Sequence, residues 1–138
     1  MKISTLIDTN IFIDLLGNGP QANASSQATI AALDAGDIVL SAIVWAELAF
    51  SKQIEKDLMR RIAWLKPRRE GFPFEAAFPA GRAHSHYRLL GGRRERTLPD
   101  FLIGAHALIG GHRLLTRDAS RYRSYFPDLD ILSPETLP

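Results

Sequence analysis

Short apolar runs alternate with longer stretches of helical periodicity along this chain. Ile3–Ile7 is ended by Asp8-Thr9-Asn10, the pattern of a buried strand running into a turn. Thr9–Leu16 then places Ile11, Leu15 and Leu16 in one apolar set, and Gly17-Asn18-Gly19-Pro20 stops it. Ser26–Ala35 has Ile30 and Leu33 at helical spacing, with Gly36 as its C-terminal cap. Ile38–Leu40 reads as a second strand, and Ser41 as the N-cap of a helix through about Phe50. Glu55–Leu65 carries Leu58, Ile62 and Leu65 on one stripe. Pro67–Pro73 reads as a basic connection and Phe72–Phe74 as a short edge strand. Glu75–Leu90 reads as a helix that Pro79 delays or interrupts. After the polar loop Gly91–Arg96, Thr97–Ile109 opens with Thr-x-x-Asp and an early proline, both helix-start signals, and Gly110-Gly111 ends it. Arg113–Thr116 is a strand, Ser120–Tyr125 a helical piece, Leu129–Leu132 a last strand, and Ser133–Pro138 a tail. Alternation of this kind predicts a three-layer α/β/α domain around a mostly parallel sheet, in a single unit over residues 1–138.

With 138 residues, 46% of them hydrophobic, the chain is long enough to bury a core of its own. No apolar run approaches the ~18 residues of a membrane span, and Asp8 interrupts the first one too early for a signal peptide. The expected location is the cytoplasm, which the absence of cysteine also fits; that absence excludes disulfides and zinc–thiolate sites. Net charge is only +2, but the arginines are grouped: Arg60, Arg61, Arg68 and Arg69, then Arg93, Arg94 and Arg96, then Arg117, Arg121 and Arg123. Guanidinium forks match phosphate oxygens, so Arg93, Arg94 and Arg117 are candidates for contact with a phosphate backbone. Taken singly, each also fits a solvated helix face or loop.

Four acids stand beside apolar runs: Asp8 after the first strand, Glu47 in Ser41-Ala42-Ile43-Val44-Trp45-Ala46-Glu47-Leu48, Asp100 after Pro99, and Asp118 after Leu114-Leu115-Thr116-Arg117. In parallel α/β sheets the functional crevice lies outside the carboxyl ends of the strands, where these residues can converge. Each has an ordinary alternative, since Asp8, Asp100 and Asp118 all fit helix caps. Glu47 is harder to explain that way, because a glutamate among apolar neighbours needs a cation or a hydrogen-bond partner. Together the four point to a divalent-metal site. The histidines give no such signal: His84 and His86 diverge on a helix, and His106 and His112 near a helix end suggest packing or solvent roles. Trp45 and Trp64 read as core residues.

In order and spacing, Ile7-Asp8-Thr9-Asn10-Ile11, Ser41–Leu48, Pro99–Ala107 and Leu114–Asp118 with Arg121-Tyr122 and Tyr125-Phe126-Pro127 resemble the four motifs of PIN-domain ribonucleases, in particular VapC-type toxins. The resemblance covers nearly the whole chain. It implies that Asp8, Glu47, Asp100 and Asp118 are the acidic metal-site positions, with Asn10 steadying the first acid and Thr116 supplying a hydroxyl near the fourth. It further implies Mg²⁺ or Mn²⁺ held by Asp8, Asp100 and Asp118, with Glu47 on a second ion or orienting the attacking water. RNA as substrate, a homodimer and a small antitoxin partner are likewise implied. The helices Ser26–Ala35 and Glu55–Leu65 are candidates for either protein interface.

A phosphatase of the haloacid dehalogenase type would need a second aspartate where Asn10 stands and a supporting lysine, and neither is suitably placed. A PIN-like module that binds nucleic acid or a partner without chemistry would be expected to have lost an acid, and all four are present. Charge reversal at Arg93 and Arg94 should weaken nucleic-acid binding and flatten its salt dependence. An unchanged slope in a salt titration would leave them as solvated loop charges.

Overall fold

Strand β1, Thr5–Ile7, is buried at all three positions, as a strand covered on both faces of a parallel sheet must be. A computed structural model describes residues 2–50, 53–92 and 98–136. The chain leaves β1 through Asp8, whose carboxylate accepts from the Thr9 N–H and caps α1, Thr9–Leu16. Helix α2, Ala22–Ala35, begins one turn before the expected start at Ser26. Ser25 faces inward and its hydroxyl donates to Asp14 of α1 at 2.6 Å. Strand β2, Ile38–Ser41, follows and is fully buried. Ser41 caps α3, Ala42–Leu48, by accepting from the Ile43 N–H. Helix α4, Glu55–Ile62, tightens into a 3₁₀ turn over Ala63–Leu65 and buries Leu58, Ile62 and Leu65 as the stripe predicts.

The edge strand lies elsewhere than the sequence suggests. Strand β3 is Arg68–Glu70, inside the stretch read as a connection, while Phe74 opens a 3₁₀ turn, Phe74–Ala76, and is 87% exposed. An edge strand needs only one neighbour's backbone and no apolar side chains, so hydrophobicity does not reveal it. Helix α5, Ala77–Leu89, takes Pro79 in its first turn, where a missing N–H breaks no intrahelical bond. Helix α6 spans Leu98–Gly110, and Gly111, at φ +73°, turns the chain toward β4, Arg113–Leu115. Helix α7, Ala119–Tyr125, and β5, Ile131–Leu132, complete the elements, with a 3₁₀ turn over Pro134–Thr136. Trp64 is not a core residue: it is about half exposed on its turn. Trp45 is half-buried and donates its indole N–H to Glu55. Arg93, Arg94, Arg96 and Thr97 lie outside the described residues.

The sheet order is β3-β2-β1-β4-β5, with every pair parallel. The chain builds outward from β1 through β2 to β3, then crosses back to place β4 on the other side of β1. The switch point therefore falls at the carboxyl ends of β1 and β4, where such sheets place their ligands. The Asp8 N–H donates to the Leu115 carbonyl at 2.9 Å and prolongs the β1–β4 ladder to that rim. Helices cover both faces, giving the expected α/β/α arrangement, with Leu6, Ile7, Phe12, Phe101 and Leu114 among the fully buried side chains.

Gly36 ends α2, but not as a left-handed cap, since its φ of 162° is extended. Its constraint is space. A Cβ there would stand 2.3 Å from the Ile3 carbonyl oxygen, where the chain enters β1. Gly36→Ala should destabilise the fold by about 2 kcal/mol, readable as a lowered denaturant midpoint at unchanged m-value.

Candidate active site

Asp8 sits at the rim created by the switch point, only 4% exposed. One carboxylate oxygen accepts from the Thr9 N–H at 2.7 Å, and the other from the Thr116 hydroxyl at 2.8 Å. Burial pushes its pKa up to about 7, against those two hydrogen bonds and with a further push from the charges of Asp100 and Asp118. The structure thus brings Asp100, from the first turn of α6, and Asp118, from the end of the β4 loop, into range of Asp8. Glu47 reaches the same group through Thr9, whose hydroxyl donates to Glu47 Oε1 at 2.6 Å. Thr9 therefore bonds two of the acids, one through its backbone and one through its side chain.

The fourth acid is held differently from a helix cap. Asp118 precedes α7 but makes no side-chain capping bond. Its Oδ2 instead accepts from Asn10 Nδ2 at 3.3 Å and from Arg121 at 3.2 Å. Thr116 lies near the fourth acid as expected, its oxygen accepting the Asp118 N–H, and also bonds the first, whereas Asn10 contacts the fourth acid rather than the first. Asn10 steadies the loop of the fourth acid, accepting the Arg117 N–H at 3.3 Å.

Arg117 does not reach toward the acids. Its Nε lies 2.7 Å from Asp14 Oδ2, in an ion pair with a buried carboxylate of α1. Arg61 and Arg68 are likewise engaged within the fold, by the Leu16 carbonyl and by Asp37 and Glu70. Among the described residues, Arg121 is the arginine seen to touch the cluster, through Asp118.

Two further residues belong to the site. Thr9 lies inside the first motif, but nothing in the sequence marks its hydroxyl as the partner of an acid from another helix. Tyr122 is 2% exposed beneath the acids. Burial first, then the charges of Asp8, Asp100 and Glu47, raise its pKa well above the ordinary tyrosine value. Gly104 of α6 makes room for it. A Cβ there would meet the Phe126 ring at 2.5 Å and Tyr122 at 3.1 Å, so the missing side chain lets both rings pack against the helix.

This arrangement supplies oxygen donors and gathered carboxylates, with Arg121 at its margin. That combination suits a hard divalent cation. Asp8, Asp100 and Asp118, with Glu47 bound to the first of them through Thr9, fit such an ion: burial first, and then the charges of Asp100 and Asp118, raise the Asp8 pKa.

Residues 5–126 match the PIN domain family. The chain belongs to that family. Its fold is that of solved toxin–antitoxin proteins. VapBC2 from Rickettsia felis, solved with a DNA fragment from its promoter, is similar at 19% identity and TM-score 0.72, over 95% of this chain and 98% of that one. VapBC-1 from nontypeable Haemophilus influenzae is similar at 22% identity and TM-score 0.72, over 97% and 100%. The FitAcB structure from Neisseria gonorrhoeae is similar at 22% and 0.69, over 96% and 99%. No curated protein sequence matches the chain closely enough to count as a relative. Among the described residues, no helix is long and apolar enough to cross a membrane.

A raised Asp8 pKa means that the folded protein takes up a proton the unfolded chain releases. This stability is fully present below the unfolded value and is lost as pH rises through about 7. Asp8→Asn is isosteric, and its amide can donate to the Thr116 oxygen. The variant should raise the metal-free melting temperature at pH 8 by about 5 °C and remove the stabilisation by Mg²⁺ or Mn²⁺ that the parent shows. Calorimetric melting of both forms with chelator and with metal checks this. A parent indifferent to divalent ions would count against the site.

Proposed function

We propose that this protein is a divalent-metal-dependent endoribonuclease acting as the toxin of a toxin–antitoxin pair. The observation that carries the reading is the buried Asp8 carboxyl, held near neutrality among Asp100, Asp118 and Glu47 at the carboxyl ends of β1 and β4. Membership of the PIN-domain family and the likeness of fold to VapBC and FitAB proteins support it.

Asp8, Asp100 and Asp118 would hold Mg²⁺ or Mn²⁺, and Glu47 would hold a second ion or orient water. The metal would supply charge stabilisation on phosphate oxygens and a lowered pKa for attacking water. The chain's own groups prepare that site. Thr9 and Thr116 fix the two oxygens of Asp8, so its lone pairs face the cluster in one orientation. Thr9 also holds Glu47, and Asn10 with Arg121 holds Asp118, so little reorganisation is needed when substrate arrives. Arg121 can contact a phosphate while it balances Asp118. No cysteine is present, and no serine is needed as a nucleophile, because water attacks phosphorus.

Binding to a small antitoxin, assembly as a homodimer, cytoplasmic location and preference for RNA over DNA belong to this same reading. The structures similar in fold are of toxin–antitoxin assemblies, which supports the antitoxin partner.

The direct test is cleavage of a single-stranded RNA pool, with a matched DNA pool beside it, in Mg²⁺, in Mn²⁺ and in chelator. RNA should be cut only with metal, and Asp8→Asn and Asp100→Asn should each lower the rate by ~10²-fold or more. Cutting that survives both substitutions would mark a contaminating nuclease, whereas metal-independent binding without cutting would favour a PIN-like binding module instead.

A further inference from the structure

A second convergence of metal-binding side chains stands apart from the four acids. His106 of α6 and His112, in the turn before β4, both direct Nε2 to the same oxygen of Glu70 at the end of β3, at 3.0 and 2.8 Å. The three ligand atoms lie within 4.8 Å of one another. Both imidazoles are buried, while the Glu70 side chain is 29% exposed and opens the group to solvent.

The surroundings fix this geometry. His106 Nδ1 is 3.0 Å from the Ser41 hydroxyl, and His112 Nδ1 is 2.7 Å from the Ser4 hydroxyl. The second oxygen of Glu70 accepts from Arg68 at 3.2 Å. Each ring is thus oriented through the nitrogen that faces away from Glu70, and the carboxylate through the oxygen that faces away from the rings. Metal-ligating histidines are held in this way, with a hydrogen bond on the distal nitrogen. Serine hydroxyls donate or accept, so the ring protons can move to Nδ1 and free both Nε2 lone pairs.

We propose that Glu70, His106 and His112 form a binding site for one zinc-class divalent ion, separate from the acid cluster. Two imidazoles and one carboxylate make the donor set of a three-ligand zinc site with a position open to water, and solvent reaches it past Glu70. Mg²⁺ prefers all-oxygen surroundings, so the two sites select different ions. The ionisation states agree. Burial holds His106 below the ordinary histidine value, only partly offset by Glu70, so its ring is neutral. Burial pushes Glu70 up, but the hydrogen bonds from His112 and His106 outweigh it, so its carboxylate is charged.

The role of such an ion is to brace the scaffold. It would tie β3 to α6 and to the start of β4. Asp100 lies at the far end of α6, and Thr116 and Asp118 follow β4. Ser41, bonded to His106, caps the helix that carries Glu47.

The test uses tag-free protein carrying Asp8→Asn and Asp100→Asn, stripped with chelator, so that the acid cluster does not contribute. Zn²⁺ uptake is measured by calorimetry in excess Mg²⁺, and Co²⁺ uptake by visible absorption. One Zn²⁺ per chain should bind despite the Mg²⁺, with Co²⁺ bands of low coordination number and a raised melting temperature. Adding Glu70→Gln, which keeps the side chain's shape and can still accept from the rings, should weaken uptake ~100-fold and abolish the thermal shift. His112→Gln should do the same, with circular dichroism confirming that each variant is folded. Absence of Zn²⁺ uptake by the Asp8→Asn, Asp100→Asn protein, or parental affinity in folded Glu70→Gln or His112→Gln, would overturn the proposal and leave a hydrogen-bond network only.

Discussion

A carboxylate buried at the junction of β1 and α1 is the constraint on which this fold's active rim depends. Asp8 costs stability where it stands, because burial disfavours its charge and Asp100 and Asp118 add to the penalty. The hydrogen bonds from Thr9 and Thr116 offset only part of that cost. The same two bonds, with the Asp8 N–H bonded to Leu115, hold the ends of β1 and β4 in register. A single residue therefore closes the ladder, caps a helix and concentrates negative charge. The strain on its ionisation is what makes the location useful to a cation.

The helices treat the acids unequally. Asp8 and Asp100 stand at the starts of α1 and α6, where exposed N–H groups favour negative charge. Glu47 stands in the last turn of α3, the end that disfavours it, and has the Thr9 hydroxyl as partner. An acid placed against the helix dipole among apolar neighbours is poorly explained by folding alone, which agrees with a role at the site.

Much of this was legible in the sequence where side chains announce their surroundings. Apolar strands between turn signals located β1, β2 and β4, and Ser41 marked the start of α3. The acids were visible because charge beside an apolar run is unusual. What the sequence hid was pairing between distant parts of the chain. Nothing near Thr9 shows that its hydroxyl meets Glu47, and nothing near Arg117 shows that Asp14 holds it. His106 and His112 seemed unrelated because their common partner, Glu70, lies on a strand with no hydrophobic signature.

That unsignalled strand also determines where the sheet stops. One margin is Arg68-Arg69-Glu70, with both arginines exposed, and the opposite margin, β5, is only two residues long. A second copy approaching either side meets a hem of charge or a ladder too brief to extend, so strand-by-strand polymerisation finds no template. The arginines that concealed β3 from a reading based on hydrophobicity are the residues that keep the sheet finite when many copies crowd together.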